Sequence, residues 1–207
     1  LPTMGEGVVG ICDSGANVDC EPYYLQQFAL MGTLYMQKCY NIEKPRVALL
    51  NIGTEEEKGD QLRKETYQLL KNSSSINFVG NMESRDLLSG NYDLVVCDGF
   101  SGNVLIKSTE GTALELMKLL KKSFTSNLKN KIGALILKKS VYEIKDYMDY
   151  NNYGGGVMLG VKKIIIKGHG SSKTNAIYNC IQQAYTLEKN QICQAIEAEI
   201  SKMTDEN

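Results

Sequence analysis

Short apolar runs recur along the chain, each followed by a polar, glycine-bearing loop and then by a segment whose apolar positions return every three or four residues. That change of period predicts strands feeding helices. Val8–Asp13 reads as a first strand. Pro22 opens a helix to about Tyr40, with Leu25, Phe28, Ala29, Met31 and Gly32 on its packing side. Arg46–Ile52 predicts a second strand and Glu55–Leu70 a second helix, with Glu55, Glu56 and Glu57 in a first turn whose dipole favours negative charge. Ile76–Val79 follows as a short third strand, with a small element around Ser84–Leu88. Tyr92–Cys97 is almost wholly apolar and predicts a fourth strand covered on both faces. Gly102 to about Lys122 reads as a long helix and Ile164–Ile166 as a fifth strand. Ser171 and Ser172 then offer capping hydroxyls for a helix to about Leu187, and Gln191–Met203 closes the chain as another. Strands alternating with helices predict an α/β fold, a mostly parallel sheet between two helical layers.

Four of the loops are rich in Gly, Ser and Asn: Asp13–Asp19, Asn51–Thr54, Asp98–Asn103 and Lys167–Ser172. In a parallel sheet such loops emerge together at the carboxyl ends of the strands, where their N–H groups suit an anion such as phosphate. Asp13 and Asp98 either cap their own loops or meet a ligand. Asn17, Asn51, Gly53, Asn103, Ser171 and Ser172 are the further candidates for anion binding. His169, the only histidine, sits between two glycines, a context that suits phosphate contact or proton transfer near neutral pH. Lys107 falls one turn beyond Asn103, with its charge in reach of the same edge; a solvated lysine is the alternative. No dinucleotide fingerprint, P-loop or G-x-S-x-G elbow occurs. The chemistry expected is therefore positioning of a phosphate and stabilisation of an oxyanion rather than a protein nucleophile.

At 207 residues the chain predicts one sizeable core, and a net charge of −1 excludes a globally basic nucleic-acid binder. Six cysteines without a C-x-x-C pair predict buried free thiols, with no metal site. No apolar run approaches the ~20 residues of a membrane span. One segment stands out. From Lys118 to Tyr142 there are seven lysines and no carboxylate, interleaved with Leu119, Leu120, Phe124, Leu128, Ile132, Leu135, Ile136 and Leu137. Residues 118–150 thus predict a projecting basic amphipathic helical segment within a single α/β domain spanning 1–207. It is either an ordinary packing hairpin or a surface for anionic lipid or an acidic protein, met through Lys118, Lys121, Lys122, Lys129 and Lys131.

Several strings occur together in one order: Asp13-Ser14-Gly15-Ala16-Asn17-Val18-Asp19-Cys20, Gln27-Phe28-Ala29-Leu30-Met31-Gly32, Pro45-Arg46-Val47-Ala48-Leu49-Leu50-Asn51-Ile52-Gly53, Glu57-Lys58-Gly59, Asn77-Phe78-Val79-Gly80-Asn81, Val95-Val96-Cys97-Asp98-Gly99-Phe100-Ser101-Gly102-Asn103, Tyr153-Gly154-Gly155 and His169-Gly170-Ser171-Ser172. In these the chain resembles the bacterial phosphate acyltransferases of phospholipid synthesis. The resemblance implies an α/β/α sandwich similar to the isocitrate-dehydrogenase-like and phosphotransacetylase-like folds. It implies transfer of a fatty acyl group from acyl carrier protein to inorganic phosphate without a cofactor. It also implies a homodimer in the cytoplasm, held peripherally on the inner face of the cell membrane. Lys139 departs from the proline that relatives carry at the bend of the basic hairpin. The family's earlier glycine-rich loop has no counterpart here, and the opening Leu1-Pro2-Thr3-Met4-Gly5 does not read as a natural start. A fragment matching the later part of the family protein is therefore expected, incomplete at its N-terminus. The rival functions are a phosphotransacylase using coenzyme A thioesters and an inactive fragment that binds membrane or carrier protein.

Overall fold

The computed structural model describes residues 1–5, 7–147, 154–170 and 172–205. Its centre is a four-stranded parallel sheet in the order β1-β4-β2-β3, made of β1 (Gly10–Cys12), β2 (Val47–Asn51), β3 (Phe78–Glu83) and β4 (Leu94–Val96). Alternation along the strands divides the core into two. Val47, Leu49, Leu94 and Val96 face α1 (Pro22–Tyr40), whose Leu25, Phe28, Ala29 and Met36 share their cluster with Leu70 of α2 (Gln61–Lys71) and Ile192 and Ile196 of α6 (Ile192–Asp205). Ala48, Leu50, Val95 and Cys97 face the other way, onto Leu87 and onto Leu105 of α3 (Gly99–Phe124). The sheet is thus covered on both sides, as its apolar strands predict.

α1 keeps its expected bounds because both ends carry strong signals: Pro22 at the first turn, and Asn41 in the left-handed conformation, its N–H returned to the Met36 carbonyl. Elsewhere the boundaries move. α2 begins at Gln61 rather than Glu55, because Gly59 turns at a φ of +93° and the Asp60 side chain caps the Arg63 N–H. The three glutamates lie in the preceding loop, where Glu56 pairs with Lys71 at 2.8 Å. β3 runs past Val79 to Glu83, and its buried Asn81 donates to the Glu55 carbonyl at 2.7 Å. α3 starts three residues early, at Gly99, because Asp98 caps it through the Ser101 N–H.

The fifth strand needs correction. β6 (Ile166–Lys167) pairs antiparallel with β5 (Gly156–Val157) in a separate two-stranded sheet. Only residues 158–165 connect them, too few for a parallel crossover of a dozen or more residues. α5 (Thr174–Lys189) is preceded by Lys173 at its cap position with no side-chain cap bond, so Ser172 does not cap it. The cysteines are free, and Cys97 alone is buried, the other five being half-buried.

α3 continues into α4 (Leu128–Tyr147), the two packing on one another. Leu114, Leu119, Leu128, Ile132, Leu135 and Ile136 are all exposed on this pair. Tyr147 donates to the Thr3 carbonyl at 2.5 Å, returning the end of α4 to the start of the chain. Among the described residues no helix is long and apolar enough to cross a membrane.

Candidate functional site

The loop after β1 is organised by its own aspartate. The Asp13 carboxylate accepts from the N–H groups of Ser14, Gly15 (3.0 Å), Ala16 (3.1 Å) and Asn17 (2.5 Å), and from the Asn17 side-chain amide at 3.1 Å. Successive N–H groups wrapped around an oxyanion form a nest, and here the protein's own carboxylate fills it. Glycines let α3 close against this loop. A Cβ on Gly102 would overlap the Asp13 carbonyl, and one on Gly99 would come within 2.6 Å of the Asn17 carbonyl. The Gly99 N–H donates to that Asn17 carbonyl at 2.7 Å, and the Asn103 amide to the Ser14 carbonyl at 3.1 Å.

Asp98 accepts from the Ser101 N–H and hydroxyl, each at 2.8 Å, and from the Arg63 guanidinium. Burial works against its ionisation, but Ser101 and Arg63 outweigh it and hold the carboxyl below its ordinary value. Arg63 also donates to Asp60 at 2.9 Å and to the Ser101 hydroxyl at 2.9 Å, tying the cap of α2 to the cap of α3. Asn51 is buried and spent within its own loop, donating to the Lys58 carbonyl at 3.0 Å and accepting from the Ile52 N–H at 2.8 Å. Gly53 is buried against Glu55 and Lys58. Asp13, Asn51 and Asp98 thus take up the N–H groups of Ser14 to Asn17, Ile52, Ser101 and Gly102 within the rim itself.

Beside this rim lies a cavity of about 380 Å³. Asp13 and Ser14 line it from the first loop, and Lys167, Gly168 and His169 from the end of β6, so two of the expected loops do share one hollow although they belong to different sheets. Asn17 and Asn103 do not line it; each side-chain amide bonds to the 13–17 loop. Asn51, Gly53 and Asp98 do not line it. Lys107 is exposed and does not line it either; Ile106 and Glu110 are the α3 residues that do. The Ser172 N–H donates to the His169 carbonyl at 2.9 Å and shapes that loop, while Ser171 lies outside the described residues.

Composition and spacing did not single out Arg63, Tyr35 or Gln183. For Arg63 a signal existed: a cation in the first turn of a helix opposes the dipole and needs a carboxylate partner. Tyr35 and Gln183 come from helices far apart in sequence, and nothing local marks them. Gln183 donates to the Tyr35 hydroxyl at 3.1 Å and accepts from the Gly155 N–H at 2.9 Å, which ties α1, α5 and the start of β5 into one cavity wall. Burial pushes the Tyr35 phenol up, so it stays protonated. Burial, the Asp13 carboxylate and Cys20 push the Cys12 thiol up to about 12. Cys97 is pushed up as well, chiefly by burial, so neither thiol is poised as a thiolate nucleophile.

The model of the family described as fatty acid synthesis protein matches residues 1–195. The chain belongs to that family. Among its relatives is a phosphate acyltransferase of Thermoanaerobacterium thermosaccharolyticum, 47% identical over 206 residues, which are 100% of this chain and 61% of that protein. The phosphate acyltransferase of Bacillus subtilis is 45% identical over 208 residues, 100% of this chain and 62% of its own length. That of Clostridium acetobutylicum is 48% identical over 193 residues, 93% of this chain and 58% of its own. The chain thus spans about 60% of the length of the curated relatives it matches.

Proposed function

We propose that the site transfers a fatty acyl group from the thioester of acyl carrier protein to inorganic phosphate, forming an acyl-phosphate for phospholipid synthesis. The observation that carries this reading is the cavity mouth, where Lys167 and His169 stand with Ser14 above an aliphatic interior. Phosphate binds at that mouth, held by the Lys167 ammonium, the Ser14 hydroxyl and His169. One phosphate oxygen attacks the thioester carbonyl carbon. The new C–O bond forms as the C–S bond breaks, and the proton of the attacking hydrogen phosphate passes through His169 to the leaving thiolate. A thioester is already an activated donor, so orientation and oxyanion stabilisation supply the rate without a cofactor. Lys167 takes the charge role first given to Lys107, because it lines the cavity. Asp13, Asn17, Asn51, Asp98 and Asn103 position the rim from behind, with Gly53 and Ser172 holding the shape of their loops.

The same reading makes the protein a homodimer in the cytoplasm, peripherally bound to the inner face of the cell membrane. The surface for that contact is the α3–α4 pair, where Lys118, Lys121, Lys122, Lys129 and Lys131 are exposed beside exposed Leu119 and Ile132.

Phosphorus NMR of the purified protein with phosphate and an acyl carrier protein thioester tests the proposal. An acyl-phosphate resonance growing in step with released thiol is expected. A product only from a coenzyme A thioester transfers the reading to short-donor phosphotransacylation. No product from either donor, with vesicle binding intact, leaves a non-catalytic binding chain.

A further inference from the structure

The interior of the cavity is not used by the phosphate chemistry at its mouth. Burial deepens inward. Ser14, Lys167 and His169 are exposed, Ile11, Ile106, Val157 and Leu159 are half-buried, and Met36 and Leu94 are only 0% and 2% exposed. Of the polar side chains in the wall, Tyr35 and Gln183 bond to one another, and Tyr40 packs edge to face on Tyr35. Asp13 and Glu110 are the carboxylates that line the hollow, and they oppose an anion anywhere but beside Lys167. A volume of about 380 Å³ falls in the range of small-molecule sites.

We infer that this interior holds the aliphatic chain of the acyl donor, with the thioester at Lys167 and His169 and the chain running inward past Ile106 toward Met36 and Leu94. The inference rests on the acyl-to-phosphate reading and adds to it a determinant of chain length. Aliphatic walls reward each methylene drawn from water, and the buried floor at Met36 and Leu94 ends that reward once the space is filled. Longer chains then have to leave part of their length outside. Ile106 is the informative wall residue, because it belongs to neither of the two core clusters and its substitution leaves the core alone.

The test pairs Ile106→Trp, which narrows the hollow, with Ile106→Ala, which widens it and retains the helix. Two quantities are read: displacement of a fluorescent fatty-acid analogue by hexadecanoate, and the ratio of kcat/KM for hexadecanoyl over octanoyl thioesters. Ile106→Trp is expected to weaken hexadecanoate binding and lower the ratio by about tenfold, since displacing about two methylenes is worth that much. Ile106→Ala is expected to move the ratio the other way. Weakened binding in a protein that makes no acyl-phosphate supports the cavity and removes the acyl-to-phosphate reading. Acyl-phosphate formation with both variants at the unmodified binding and ratio overturns the cavity assignment, as does an unmodified protein that binds no fatty acid.

Discussion

Arg63 joins loops that sequence neighbours do not. Its guanidinium meets Asp60, Asp98 and Ser101, and its side chain is only 15% exposed, against 7% for Asp98. Removing one partner of such a pair leaves a buried charge uncompensated. Arg63→Met is therefore expected to cost about 3 kcal/mol, seen as a lower urea midpoint with an unchanged slope. The pH dependence follows from the direction of the shift. The folded Asp98 carboxyl titrates below its ordinary value of 3.8, so its contribution to stability is complete above that value. It is lost as pH falls through the lower, folded value. Asp93 behaves alike: burial opposes its ionisation, but Arg46 holds it down through bonds at 2.7 to 2.9 Å. Asp98→Asn should flatten the loss of stability that sets in as pH falls below the ordinary carboxylate value of 3.8, while leaving the Asp93 part. An Asp98→Asn protein that loses stability in acid as steeply as the unmodified one contradicts this assignment.

Elements were legible where the chain carries its own punctuation. Pro22 and Asn41 bound α1, and the apolar run before Cys97 marks a central strand. Polar interior residues hid the rest. β3 was legible only as far as Val79; its continuation through Asn81 and Glu83 shows only in their pairing with Leu49 and Asn51. Glu55, Glu56 and Glu57 imitate a first helical turn, while Gly59 places the true start beyond them. The basic pair α3 and α4 is an element whose sequence signal is charge rather than period. Three reversals on it, Lys118→Glu, Lys121→Glu and Lys122→Glu, should weaken sedimentation with anionic vesicles by about 3 kcal/mol or more, at about 1 kcal/mol per charge near a lipid surface. The effect should shrink as salt is raised. Vesicle binding at the unmodified level assigns these lysines to a solvated face or to the carrier protein.

At the scale of the whole molecule the cavity draws on β1, the C-terminal part of α1, the body of α3, the loop after β6 and the body of α5. Pairing Asp13 with His169 across more than half the chain is invisible to periodicity. The loop pattern placed both on the edge of one parallel sheet, whereas they meet at one hollow with β6 in a separate antiparallel pair. The rim shows the converse. Donor-rich loops read as a phosphate cradle, but the N–H groups of Ser14 to Asn17 already serve Asp13, and those of Ser101 and Gly102 serve Asp98. Glycine and asparagine content reports how closely loops approach, not which donors remain for a ligand.

The proposed anion site is therefore at Lys167 and His169, and the phosphate dependence of turnover tests that proposal most directly. Initial rates of thiol release from an acyl carrier protein thioester would be measured against phosphate concentration, for the unmodified protein and for Lys167→Met. A saturable curve is expected, with the KM for phosphate raised about tenfold or more in the variant, the loss of one charge-assisted hydrogen bond. Thiol release that ignores phosphate, or a Lys167→Met curve that overlays the unmodified one, contradicts the account.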